Sequence, residues 1–308
     1  MPFQTKILFV SDIHGSETVF RKSLNAAKMY KANYLIFGGD LFSKDFVPVI
    51  MEGSSRLSLE GNEVDVNQLM EIGKKSGKIP LVMTKEEYHE AISNKKYMLS
   101  LVERELEKQA SQWVKIFHEK MDGSGIEVFW NTGNDDPLGI DDTLSSFGIE
   151  IIEGKVKQIE DLNLVSSGYV NPTPYNSYRE IPDSTLFLKL DSMMRQVKEG
   201  DIILNAHAPP IDTKLDMAIG KDRKRYHVGS KAVRDIIETY KPIVGLHGHI
   251  HESGGTDKLG NTRIGNPGSF YIDGILSAIY LVLEREVKGK GAIVSKTYKV
   301  KTMDIIRG

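Results

Sequence analysis

The sequence predicts an α/β fold: one domain, residues 1–308, of mixed helix and sheet layers. Three observations predict it. Short apolar β-rich runs alternate with helical patterns in the first half, the second half is richer in strands, and no repeat, low-complexity tract or linker divides the chain. At 308 residues, 40% hydrophobic and 27% charged, it can bury a full core in the ordinary way of globular proteins.

Residues 7–10, Ile-Leu-Phe-Val, are an unbroken apolar run of the kind buried in a central strand. Ser16 is placed to cap a helix with Glu17 in its first turn, with Phe20, Leu24, Ala27 and Met29 inward, ending before Asn33. Residues 34–37 make the next strand, closed by Gly38-Gly39, and residues 126–130 a third, closed by Thr132-Gly133. Between them, residues 56–59 and 63–66 flank Gly61-Asn62 and predict a small hairpin. From residue 95 to 121, Met98, Val102, Leu106, Ala110, Trp113, Phe117 and Met121 recur at helical steps, predicting a long amphipathic helix. Residues 45–95 read as an insertion, either decoration packed on the sheet or a lid. Further strands are expected at 150–152, 162–166, 202–205, 243–246, 277–283 and 292–298. Helices are expected over 183–198, with Pro182 at its start, and 229–240.

Composition excludes several chemistries. The chain has no cysteine, so disulfides, thiolate–zinc sites and cysteine nucleophiles are ruled out. A formal net charge of −2 provides no basic field for nucleic acid. The apolar run near the N-terminus is too short for a signal-peptide core, and no stretch reaches the roughly 18 apolar residues of a membrane span. The expectation is a cytoplasmic protein without a membrane partner.

The chemistry is concentrated after the predicted strands. Asp12 and His14 follow the first, Asp40 the second and Asn134 the third, while His207 follows 202–205 and His249 and His251 follow 243–246. The carboxyl ends of strands in open α/β sheets are where ligands bind, so these seven side chains are expected to converge on one rim. Imidazole and carboxylate donors without sulfur suit Mn, Fe, Zn, Co or Ni. The Asp-x-His and His-x-His spacings point both side chains one way if the backbone is extended.

The ordered motifs Asp12-x-His14, Gly39-Asp40, Gly133-Asn134-Asp135-Asp136, His207 and Gly248-His249-x-His251 resemble those of the calcineurin-like metallophosphoesterases, across most of the chain. The resemblance implies a two-sheet β-sandwich flanked by helices and two divalent metal ions. It assigns Asp12, His14 and His251 to one ion and Asn134, His207 and His249 to the other, with Asp40 bridging. The turn from Gly265 to Ser269 also resembles a stretch of that family and reads as structural. Asp135 stands where the family motif has His, an imidazole that serves the leaving group.

From these residues the expected activity is two-metal hydrolysis of a small phosphate ester by a metal-bridging hydroxide, with Asp40, Asn134 and Asp135 as catalytic residues. An ionised Asp135 beside the phosphate would repel a dianionic monoester more than a diester, which favours a phosphodiesterase. A phosphomonoesterase and a weakly active metal-binding scaffold are the alternatives, and a nuclease ranks third. Asp135 reads either as a general acid or as the acceptor of a turn hydrogen bond. His89 and His118 read as surface or packing residues, His247 as packing or site-lining, and His227 as a surface residue that could face the pocket. Arg179 reads as a solvated surface residue or a phosphate clamp, and the basic run Lys221–Arg225 as a solvated loop.

Overall fold

The computed structural model describes residues 3–52, 56–59, 62–290 and 293–308. Its first strand, β1 (Gln4–Val10), shows why this sequence makes a central strand. Ile7 and Phe9 enter one core and Leu8 and Val10 another, so both faces are covered. Helix α1 (Glu17–Met29) follows, capped by the Ser16 side chain, which accepts from the Val19 N–H. Phe20, Leu24 and Ala27 are buried as expected, but Met29 is exposed. At 3.6 residues per turn it lies roughly 180° around the helix from Phe20.

Strand β2 (Tyr34–Phe37) is followed by β3 (Phe46–Glu52), β4 (Arg56–Leu59), β5 (Asn62–Glu63), α2 (Val66–Ser76), β6 (Ile79–Met83) and α3 (Lys85–Ser93). The expected hairpin is the β4–β5 pair, whose second strand is shorter because Asp65 caps α2; Gly61 lies outside the described residues. Four strands in the order β5-β4-β3-β6 form a separate small sheet, and Leu81, Met83, Ala91 and Leu101 make its own core. The long helix α4 (Lys95–Met121) keeps its predicted bounds, and its Trp113 stacks on Phe20 with ring centroids 4.3 Å apart.

Then come β7 (Glu127–Trp130), α5 (Ile140–Ser146), β8 (Lys155–Ile159), β9 (Leu162–Ser167), α6 (Asp183–Met194), β10 (Asp201–Ala206), β11 (Met217–Ile219), β12 (Arg225–His227), α7 (Lys231–Tyr240) and β13 (Val244–Leu246). The strand expected at 150–152 is only a bridge between Ile151 and Trp130, because Gly154, at φ 68°, turns the chain into β8. Strands β14 (Gly255–Leu259), β15 (Thr262–Asn266), β16 (Ser277–Lys290) and β17 (Ile293–Arg307) complete the chain. The last two form a hairpin longer than expected; Ala292, the start of the expected last strand, lies outside the described residues.

Two sheets face each other. One has the order β17-β16-β1-β2-β7, the other β14-β15-β13-β10-β9-β8. Ile7, Phe9, Ile36 and Phe129 of the first meet Leu162, Leu164, Ile203, Val244 and Leu246 of the second in the central core. Helices α1, α4 and α5 cover the outer face of the first sheet, and α6 and α7 that of the second. This is the sandwich flanked by helices that the motifs implied. Strands β1, β2 and β7 run parallel, as do β9, β10, β13 and β15. No helix among the described residues is long and apolar enough to cross a membrane.

Candidate metal centre

The loops leaving β1, β2, β7, β10 and β13 meet at one place. They are laced together by main-chain bonds: the Asp12 N–H donates to the Gly39 carbonyl at 3.0 Å, His14 to Asp40 at 3.0 Å and Gly15 to Leu41 at 2.8 Å. The His249 N–H donates to both Asp12 carboxylate oxygens, at 3.0 and 3.1 Å. Asn266, in the turn the motifs marked as structural, donates its amide to the Gly248 and Ile250 carbonyls.

The backbone carrying the polar residues is not extended. Asp12, His14, Asp40 and His249 have φ of 58°, 45°, 53° and 66°. Sharp left-handed corners, rather than strand alternation, turn these side chains together. Each such residue costs about 1 kcal/mol or more and persists only where its surroundings over-determine it. Two glycines make room: a β-carbon on Gly133 would collide with the Asp40 carboxylate, and one on Gly248 with the Asp12 carboxylate.

The side chains form two groups of donors, Asp12–His14–His251 and Asp40–His207–His249, the donor atoms of each lying within 4.8 Å of one another. Asp40 stands between them, its Oδ2 3.2 Å from His207 Nε2 and 3.7 Å from His14 Nε2. A third grouping joins His14 and Asp40 to Asp135. Asn134 is buried on the loop after β7, and its neighbour Asp135 donates its N–H to Asp40 Oδ1 at 2.8 Å.

The donors are short of partners. Asn134 Oδ1, His14 Nδ1 and both ring nitrogens of His207 are buried without a hydrogen bond. His14 Nε2 and His251 Nε2 point at each other across 2.9 Å. Unpaired buried acceptors are costly, and a cation among them supplies what is missing, so divalent metals fit this donor set. Electrostatics agree. Burial pushes the Asp12 carboxyl up, but His207 and His251 overcome it and hold it below the usual carboxylate range. Burial works against a charged His207, yet Asp40 and Asp12 raise it to about 9. Burial and the charge of His207 push His249 down to about 4. A proton on His207 competes directly with a cation for the same nitrogen.

Four residues to which the sequence reading gave no role at this site support it; Asp136 lies within a motif it quoted, and Ser177, Glu180 and Lys44 lie outside those motifs. The Asp136 carboxylate is buried and accepts from the N–H groups of Gly133, Leu41 and Phe42, tying two ligand loops together. Burial and nearby Asp40 push it up to about 7. Ser177 Oγ accepts from Asn134 Nδ2 at 2.9 Å and donates to Glu180 Oε1 at 2.7 Å. Glu180 can only accept, so Ser177 must face Asn134 with a lone pair, which leaves the Asn134 oxygen as the buried atom without a partner. Ser177→Ala is expected to keep the fold and weaken metal affinity by about 10-fold or more, as outer partners of metal ligands do. Metal titration of the purified variant checks this, and unchanged affinity would remove Ser177 from the role. The fourth residue is Lys44, whose Nζ lies 2.8 Å from Asp135 Oδ2 and 3.3 Å from His14 Nε2.

Other candidates fall elsewhere. Arg179 is neither solvated nor free to clamp phosphate. It is 1% exposed and donates to the carbonyls of Gly133 and Asp136 and to Asp141 Oδ1. It braces the Asn134 loop from below. His227 gives its Nδ1 to a bond with buried Asp216 at 2.8 Å, on the β11–β12 hairpin beside the basic run. His247 is fully buried, with Nδ1 bonded to the Ala206 carbonyl at 2.8 Å, and burial pushes it down to about 4: a packing residue, not a donor to the rim.

No protein-family model matches the sequence. A stretch of 145 residues, 46% of this chain, is 40% identical to an uncharacterized protein of Methanocaldococcus jannaschii and spans 64% of that protein's length, just under two thirds. One solved structure overlays with a TM-score of 0.55 at 16% identity, covering 92% of this chain and 95% of its own. A protein of Thermus thermophilus overlays at 0.51 with 13% identity, covering 90% and 94%. A dimetal phosphatase from Danio rerio is similar over 98% of this chain and 100% of its own, with a TM-score of 0.49 at 11% identity. The likeness is one of fold: the chain shares its layered architecture of facing sheets flanked by helices with these structures.

Proposed function

We propose that this rim binds two divalent cations and hydrolyses small phosphate esters, phosphodiesters among them. One observation carries the reading: two donor groups of three side chains stand side by side, with the Asp40 carboxylate of the second also facing His14 of the first. Asp12, His14 and His251 would hold one ion, Asn134, His207 and His249 the other, with Asp40 shared. Ions there would grip phosphoryl oxygens and make water acidic enough to supply the attacking oxygen near neutral pH.

The protein's own part is placement. Asp40 is fixed by the Asp135 N–H, Asn134 is aimed by Ser177, and His249 is tied through its N–H to Asp12. Nitrogen and oxygen donors without sulfur favour Mn, Fe, Zn, Co or Ni. The insertion over residues 45–95 is read as a wall of the site. The Lys75 carbonyl accepts from Ser16 and the Gly77 carbonyl from Ser43, which anchors it to both ligand loops.

The charge argument for diesters loses weight. It needed a bare Asp135 carboxylate, and Lys44 neutralises that group at 2.8 Å. Monoesters and diesters with aryl leaving groups therefore belong in the same first experiment. Metal analysis of purified protein, with turnover of both ester types under added manganese, tests the reading. Stoichiometric metal with turnover is expected, and fully metal-loaded protein inert on every ester would point to the scaffold instead.

A further inference from the structure

Lys44 is not a donor to the proposed metal ions, yet the fold delivers it to them firmly. The three residues before it are pinned one after another: Leu41 and Phe42 donate their N–H groups to the Asp136 carboxylate, and Ser43 donates its N–H to Gln109 Oε1 at 3.0 Å. The Ser43 hydroxyl is bonded in turn to the Gly77 and Asp45 carbonyls. From this fixed base the ammonium reaches Asp135 at 2.8 Å and His14 at 3.3 Å. Among the described residues, no other lysine or arginine pairs with Asp12, Asp40 or Asp135.

In-line displacement places the departing oxygen opposite the attacking one, which is the side of phosphorus away from the clustered donors. Solvent reaches the site past its partly exposed side chains. Four of the donors, Asp12, His14, Asp40 and His207, are essentially inaccessible, while His249 and His251 are partly exposed. The side chains of Lys44, His251 and Asp135 are 34%, 29% and 19% exposed. Of these three, His251 belongs to a donor group and Asp135 is an anion. Lys44 is the one of the three that carries a cation and spare N–H donors.

Building on the phosphoesterase reading, we infer that Lys44 contacts the departing ester oxygen and offsets the negative charge that develops on it, with Asp135 holding the ammonium in place until substrate arrives. As a bond forms from water oxygen to phosphorus, the bond from phosphorus to the ester oxygen breaks and its electron pair stays on that oxygen. Lys44 hydrogen-bonds to it there. The proton released by the attacking water balances the reaction, giving an alcohol or phenol and a phosphate. The contact widens the substrate class from activated esters to those with poorer leaving groups.

The test compares wild type, Lys44→Met and Lys44→Arg on aryl phosphate esters whose phenols span a wide range of acidity, with metal content measured alongside. Lys44→Met is expected to keep its metal and lose more activity as the leaving group worsens. The loss should be small for the most acidic phenol and about 100-fold for the least acidic, the size seen when one preorganised donor is removed. Lys44→Arg should recover most of it. An equal loss across the series with metal intact, or no loss, overturns the inference and leaves the phosphoesterase reading standing. Loss of metal from Lys44→Met makes Lys44 a structural residue and overturns it too. A metal-loaded wild type inert on the whole series overturns both.

Discussion

Replacing Asp40 by Asn is expected to strip the centre of metal and lower turnover by at least about 10²-fold. The carboxylate takes the Asp135 N–H on Oδ1 and faces His207 and His14 with Oδ2. An amide has one oxygen where two are used. If that oxygen keeps the Asp135 N–H, its –NH₂ faces the two imidazoles and offers a cation nothing. If it turns, two N–H groups meet at Asp135. Either way the negative charge shared by the two donor groups is gone. The check is metal stoichiometry and ester turnover of the purified variant; normal values for both would remove Asp40 from the shared position.

The second large effect is on stability. Arg179→Leu is expected to destabilise the protein by about 3 kcal/mol, because it leaves two buried carbonyls and the Asp141 carboxylate without their donor. Those carbonyls belong to Gly133 and Asp136, on either side of Asn134, so metal affinity should fall along with the melting temperature. Thermal unfolding with and without added manganese measures both. A melting temperature within a degree of wild type would contradict the bracing role.

The contrast between Asp40 and Arg179 shows what the sequence discloses. Asp12, His14, Asp40, Asn134, His207, His249 and His251 could be found because each follows an apolar run and all but His207 lie close to a glycine, a local pattern that topology then gathers at one rim. Arg179 carries no such mark. Its partners lie 43 and 46 residues away, and a lone arginine in a polar loop reads as surface. Lys44 and Asp135 are 91 residues apart, and Glu180 reaches Asn134 only through Ser177. β8 escaped notice because Lys155, Lys157 and Gln158 on an edge strand blur the apolar pattern, whereas the long helix over Lys95–Met121 was plain from its spacing. The condition of extended backbone at Asp12 and His14, on which the Asp-x-His spacing argument rested, is not met for a different reason. Positive φ is written into a sequence by glycine, and these corners are held by side chains that ordinarily avoid it.

Those four corners have a consequence for how this chain could change. Each would rest more comfortably as glycine, which adopts positive φ without steric penalty. Glycine at Asp12 or Asp40 would relieve that strain, yet it would also remove the carboxylates that accept the His249 and Asp135 N–H groups. The strained corners are therefore fastened by their own side chains, and the loops cannot shed the strain without also losing what ties them together.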